Sequence, residues 1–144
     1  MRHQLAARSI LGSLLITLAL AAPTSAATSD VRIPLHVDFA TGETFTGASG
    51  FCPSGDAESF GFHIVGAGRA TTFHLFKTLT CDDGSGTLTI RVNAVGVFGT
   101  SGTIGGWNVL SGTGDYASTR GGGQIVGTAF EGGIDDLYTG RLTD

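Results

Sequence analysis

The stretch Gly102–Gly133 reads GTIGGWNVLSGTGDYASTRGGGQIVGTAFEGG, and its reading decides the fold class. Eleven of these 32 residues are glycine. In a helix each glycine costs about 1 kcal/mol relative to alanine, so this density excludes a helix. Between the glycines stand Trp107-Asn-Val-Leu110, Gln124-Ile-Val126 and Thr128-Ala-Phe130, short runs carrying β-branched and aromatic residues. In strands glycine instead permits bulges and sharp bends. The segment therefore predicts curved strands, with helical character only over Asp115–Thr119.

Working outward, the same signal continues toward the N-terminus. Thr87–Phe98 sets Leu88, Ile90, Val92 and Ala94 against Thr87, Thr89, Arg91 and Asn93, a half-buried strand. Across the turn Asp82-Asp-Gly-Ser-Gly86 it pairs in a hairpin with Arg69–Cys81, where Phe73, Leu75 and Leu79 share a face with Lys77 and Cys81. Glu58–Val65 places Phe60, Phe62 and Ile64 on one side. Val31–Phe39 alternates, with Val31, Ile33, Leu35, Val37 and Phe39 opposite Arg32, Pro34, His36 and Asp38. The turn Ala40–Glu43 leads to a short run over Thr44–Ala48, and Ile134–Leu142 is the last run. About eight short strands joined by tight turns make an all-β sandwich or barrel. The internal glycines and short connections favour one closed antiparallel barrel, which also leaves no exposed strand edge. A barrel of this size is either filled by side chains or holds one small ligand. No exact repeat, linker or domain boundary divides the chain.

Composition excludes several other classes. Mean hydropathy is +0.24 and nine residues are Phe, which rules out a disordered tail. The glycines follow no three-residue period, which rules out collagen. Arg2 and Arg8, the apolar run Ile10–Ala22 and the small residues Pro23–Ala27 form a secretory signal peptide over residues 1–26, cleaved after Ala26 or Ala27. The barrel domain is then residues 27–144, secreted and extracellular. No later run is long enough to span a membrane. The basic residues left, Arg32, Arg69, Lys77, Arg91, Arg120 and Arg141, are scattered among twelve acidic ones, so nucleic acid and anionic membrane surfaces are not expected partners. Cys52 and Cys81 are the only cysteines, and their even number in an exported chain predicts a disulfide; a metal pair or a reactive thiol are the alternatives.

The segment Trp107–Gly123 resembles the signature of the allene oxide cyclase and dirigent-like barrels: a GTG turn, Gly112-Thr113-Gly114, followed by Tyr116, a short helical turn and Arg120-Gly121. The Cys52–Gly55 loop, the Cys81–Gly86 turn and Asp136–Gly140 look like a set of small secreted bacterial proteins with a similar barrel. The resemblance implies a calycin-like or allene oxide cyclase-like barrel and, as an activity, cofactor-free cyclisation or isomerisation of a hydrophobic substrate. No position matches the catalytic residues of those families. Read physically, Gly112 and Gly114 permit positive φ at a tight strand exit. Asp115 caps the following turn. Tyr116 plugs one barrel end, with Arg120 lying over it or pairing with Asp115.

Other motifs weigh little. Gly112–Ala117 fits a dinucleotide fingerprint but lacks the helix and parallel strand that would use it. Asp82–Gly86 lacks the ligand spacing of a calcium loop and reads as a hairpin turn. His36, His63 and His74 form no ligand cluster, so no metal and no cofactor are expected. His36 and Asp38 share a polar face as an acid–base pair or as a solvated surface. No GxSxG accompanies Ser111, and Glu43, Glu58 and Glu131 have no spacing that makes them a carboxylate pair. Lys77 breaks an apolar row: inside the barrel it would meet an anionic ligand or titrate downward, whereas at the rim its stem covers apolar surface. The rim is the expected position, because unpaired buried lysines are rare.

The expected function is a non-enzymatic binding module for a small apolar ligand, or an extracellular structural module, with a pocket lined by Phe73, Leu75, Trp107 and Val109 and with Lys77 beside it. A cyclase or isomerase, and a surface protein-interaction module, are the alternatives. Oligomeric state is left open.

Overall fold

Alternation with period two means that each run must lay one row of side chains against a common interior. In the computed structural model, which describes residues 26–66, 70–97 and 102–144, these rows meet inside one closed antiparallel barrel of eight strands. The export segment expected over residues 1–26 lies, apart from Ala26, outside the described residues. The strands are β1 (Thr28–Asp38), β2 (Gly42–Thr46), β3 (Ser54–Val65), β4 (Ala70–Cys81), β5 (Thr87–Val97), β6 (Gly102–Gly112), β7 (Arg120–Phe130) and β8 (Gly133–Thr143). Each pairs with its neighbours in the chain, and β8 pairs back on β1 from Thr28 opposite Thr143 to Asp38 opposite Gly133. Among the described residues, no helix is long and apolar enough to cross a membrane.

The inward rows follow the sequence alternation closely. Val31, Ile33, Leu35 and Val37 on β1, Leu88, Ile90, Val92 and Ala94 on β5, and Tyr138 and Leu142 on β8 are buried together. Two expected faces need correction. Phe39 leaves the β1 row and is 76 % exposed. Its strand ends at Asp38, whose Oδ1 accepts the backbone N–H groups of Ala40 and Thr41 at 2.8 and 3.0 Å and so starts the turn one residue early. On β3, Phe60 does not share a face with Phe62 and Ile64. Gly61, at φ +62°, forms a bulge that shifts the register between Phe60 and His63. Phe60 therefore stands outside against Phe76, with ring centroids 5.6 Å apart, while the residues beyond the bulge change sides.

The two barrel ends differ. At the end formed by the β2–β3, β4–β5 and β6–β7 connections, Phe51 lies between Phe45 and Tyr116, with ring centroids 5.8 and 4.6 Å apart, and closes the interior. Cys52 and Cys81 are joined there by a disulfide that ties the β2–β3 connection to the end of β4. The glycine motif sits at this end, and its details differ from expectation. A turn of 3₁₀ helix spans Gly114–Tyr116. Gly114 has positive φ, at +59°, but Gly112 does not; a side chain at Gly112 would instead strike the Tyr116 carbonyl. Asp115 is exposed and, among the described residues, caps nothing; the turn has no side-chain cap, and the Thr113 hydroxyl at its N-cap instead accepts the Thr87 N–H of β5 at 3.1 Å. Arg120 is exposed and, among the described residues, pairs with neither Asp115 nor Tyr116.

The disulfide closes a loop of about 30 residues, which in the chain-entropy relation stabilises the fold by about 3.6 kcal/mol. Replacing both Cys52 and Cys81 by Ala should lower the urea midpoint by a corresponding amount, measured by far-ultraviolet dichroism. An unchanged midpoint would show that the filled end holds together without the covalent tie.

Candidate functional site

Toward the opposite end the inward rows do not meet, and they leave a cavity of about 470 Å³. All eight strands contribute to its wall: Val37 from β1, Glu43 from β2, Ser59 and Phe62 from β3, Phe73, Leu75 and Lys77 from β4, Val92 and Ala94 from β5, Thr103 from β6, Ile125 and Ala129 from β7, and Ile134, Asp136 and Tyr138 from β8. The wall is mostly apolar, and Phe39, Phe62 and Phe130 stand partly in solvent at its rim. Apolar cavities of this size with a few placed polar groups are the usual form of small-molecule sites.

The expected pocket is thus half revised. Phe73 and Leu75 line the cavity, whereas Trp107 and Val109 do not. The Trp107 Nε1–H donates to the carbonyls of Gln124 and Thr139, both at 3.2 Å, and the indole meets Tyr138 edge-on at 6.3 Å. It forms the layer below the cavity. Val109 packs, half-buried, against the core cluster one position further toward the filled end.

Lys77 is not at the rim. It is 3 % exposed in the middle of β4, between Leu75 and Leu79 on the inward row. Burial is made tolerable by Glu43, whose Oε2 accepts a hydrogen bond from Lys77 Nζ in an ion pair. Glu43 reaches the lumen because it shares the inward row of β2 with Phe45. The third charged wall residue is Asp136, on the β8 row with Ile134 and Tyr138. Neither carboxylate was singled out as a lumen residue from the sequence. The available signal was parity: Glu43-x-Phe45 and Ile134-x-Asp136-x-Tyr138 put an acid into a row that is otherwise apolar.

Burial dominates the electrostatics of Asp136 and pushes its carboxyl from the ordinary 3.8 up to about 6. The Lys77 charge and a long hydrogen bond from the Tyr138 hydroxyl to Oδ2, 3.5 Å, act the other way; the Glu43 and Asp135 charges reinforce the rise. The Tyr138 hydroxyl is itself raised well above 10, first by burial and then by the Asp136 and Glu43 charges. Asp136 Oδ1 and Thr103 Oγ1 are buried without hydrogen-bond partners. Both lie over Gly127, and a Cβ there would collide with both and with the Ile134 side chain. Gly127 thus forms a notch that holds two unsatisfied polar atoms in the wall.

The remaining candidates are surface features. His36 Nδ1 pairs with Asp135 Oδ1 at 2.7 Å, and the ring stacks on Phe130 at 5.0 Å; Asp38 is occupied by its turn. His63 and His74 are cross-strand neighbours on the outer face, 6.2 Å apart, and His74 Nδ1 lies 2.6 Å from Asn93 Oδ1. No group of three or more His, Cys, Asp or Glu side chains converges as a metal site among the described residues. Asp83 closes the hairpin turn by accepting the Ser85 N–H at 2.9 Å. Glu58, Glu131 and Ser111 are exposed. Compared with protein-family models, with curated proteins and with solved structures, the chain matches none.

Two measurements test this electrostatic arrangement. Removing Lys77 alone, as Lys77→Met, strands Glu43 in the wall and should cost about 3–5 kcal/mol in urea unfolding, whereas Lys77→Met with Glu43→Leu should recover most of that loss. The second concerns pH. The folded state binds the Asp136 proton more tightly than the unfolded chain does, so stability from this group is complete below pH 4 and falls as pH rises through 6, by up to roughly 3 kcal/mol. Asp38 and Asp83, both held below the ordinary carboxylate range by turn hydrogen bonds, act oppositely below pH 4. Thermal melts should show Asp136→Asn flattening the profile between pH 4 and 7.

Proposed function

We propose that this chain is an exported, disulfide-tied barrel that binds one small, largely apolar molecule in its lumen, without a cofactor and without acting as an enzyme. The carrying observation is the asymmetry of the interior: aromatic side chains fill one end, while the other keeps a cavity of about 470 Å³ with an aromatic rim. A barrel needed only as a scaffold gains nothing from leaving that volume empty, because each lost contact weakens the core. The signal-like segment over residues 1–26 and the disulfide support an extracellular setting. The resemblance to allene oxide cyclase-like barrels agrees with a lumenal ligand.

Two further readings each have an observation in their favour. A carboxyl that changes protonation near pH 6 inside an apolar lumen is what a cofactor-free cyclase or isomerase would use as acid or base. An interaction surface is favoured by Val95, Ile104 and Val126, exposed and opposite one another across β5, β6 and β7, with half-buried Leu137 of β8 continuing the row.

The lumenal reading is tested with the neutral fluorophore N-phenyl-1-naphthylamine. It should show saturable, one-to-one fluorescence enhancement with the disulfide-bonded protein. Ala129→Trp, which fills the wall near the rim without touching Lys77, Glu43 or Asp136, should weaken binding by about ten-fold or more, equivalent to at least ~1.4 kcal/mol. Absent or unaltered binding would overturn the reading.

A further inference from the structure

The polar part of the lumen wall defines what kind of molecule fits it. Among the described residues, three charged side chains line the cavity: Lys77, Glu43 and Asp136. Lys77 and Glu43 are joined as an ion pair, with side chains 3 and 15 % exposed, so the cation is already engaged. Among the described residues no cation pairs with Asp136. Its Oδ1 is buried without a partner, as is the neighbouring Thr103 Oγ1 above the Gly127 notch. Among the described residues the wall thus holds one carboxylate more than its cations, an unused acceptor and an unused hydroxyl, set within an apolar enclosure.

From this juxtaposition we infer that the lumen selects an apolar molecule whose head donates a hydrogen bond, an alcohol or a protonated amine, and discriminates against the matching carboxylate. The inference rests on the lumenal reading above and specifies its ligand class. A donating head gives the Asp136 carboxylate the partner it lacks, and an alcohol oxygen also accepts from the Thr103 hydroxyl, each side chain turning from its covered place over Gly127 to meet the ligand. An ammonium balances the two wall carboxylates against two cations. A carboxylate head would place a third negative charge beside Glu43 and Asp136 with only the engaged Lys77 in opposition, and in a low-dielectric enclosure that repulsion is weakly screened. The opposite expectation, that Lys77 receives an anionic ligand, requires Lys77 to abandon Glu43 and leave that carboxylate buried and unpaired.

The test uses a series of equal size: 4-phenylbutan-1-ol, 4-phenylbutylamine, 4-phenylbutanoic acid and butylbenzene, each displacing N-phenyl-1-naphthylamine from the disulfide-bonded protein at pH 7.5. The alcohol and the amine should each compete about ten-fold or more better than the acid. Asp136→Asn should narrow the amine-to-acid ratio by about five-fold or more. Thr103→Val should weaken the alcohol while leaving butylbenzene unchanged. Lowering the pH from 7.5 to 5 protonates Asp136, whose charged neighbours are Lys77, Glu43 and Asp135, so the amine should compete less well than it does at pH 7.5 while butylbenzene is unchanged. An acid that competes as well as the alcohol, or ratios unmoved by Asp136→Asn, would overturn the head-group assignment and leave the lumenal reading standing. Failure of the fluorophore and of all four compounds to bind would overturn the lumenal reading itself.

Discussion

Pairing of β8 with β1 along the full length of both strands is the constraint on which the rest of the molecule depends. Closure fixes a single inside and a single outside, so every second residue of every strand is committed to one of them. An acidic or basic residue at an inward position then has no route to solvent except along the lumen. That is how Lys77 of β4, Glu43 of β2 and Asp136 of β8, from three separate parts of the chain, come to share one enclosure. In an open sheet the same residues would lie at a solvated face and carry little information.

The lumen is divided by volume as much as by charge. Phe45, Phe51, Tyr116, Leu79 and Leu88 occupy the disulfide end, and Trp107 and Tyr138 form the layer beneath the cavity. Above them the inward positions of β7 are Ile125, Gly127 and Ala129, and those of β5 are Val92, Ala94 and Gly96, side chains too small to meet across the axis. The cavity is therefore written into side-chain size along two strands. Its polarity is written into three others, where Glu43, Lys77 and Asp136 interrupt apolar rows.

Much of the fold was legible because alternation and glycine density are local signals that a closed barrel uses without modification. The β1 and β5 rows, the β4–β5 hairpin and the Cys52–Cys81 bond required no knowledge of distant contacts. The errors have equally local causes. Phe39 belongs by alternation to a row that an Asp38 turn cuts short, and Phe60 to a face that a single positive-φ glycine reverses. The candidate site was legible only in part. Phe73, Leu75 and Lys77 stood out on one strand, but the position of Lys77 along the barrel axis depends on Glu43, and that partnership exists only after β2, β3 and β4 are placed side by side. Trp107 leaves the expected wall because its indole N–H finds two carbonyl groups, one on β7 and one on β8, which fix the ring below.

Both chain termini of the barrel lie at the plugged end: Thr28 stands opposite Thr143, and the Asp144 N–H donates to the Ala27 carbonyl at 3.2 Å. The aromatic rim is a full strand length away. Anything tethered through either end of the barrel, such as a surface, a label or a second domain, therefore leaves the entrance turned outward and unobstructed.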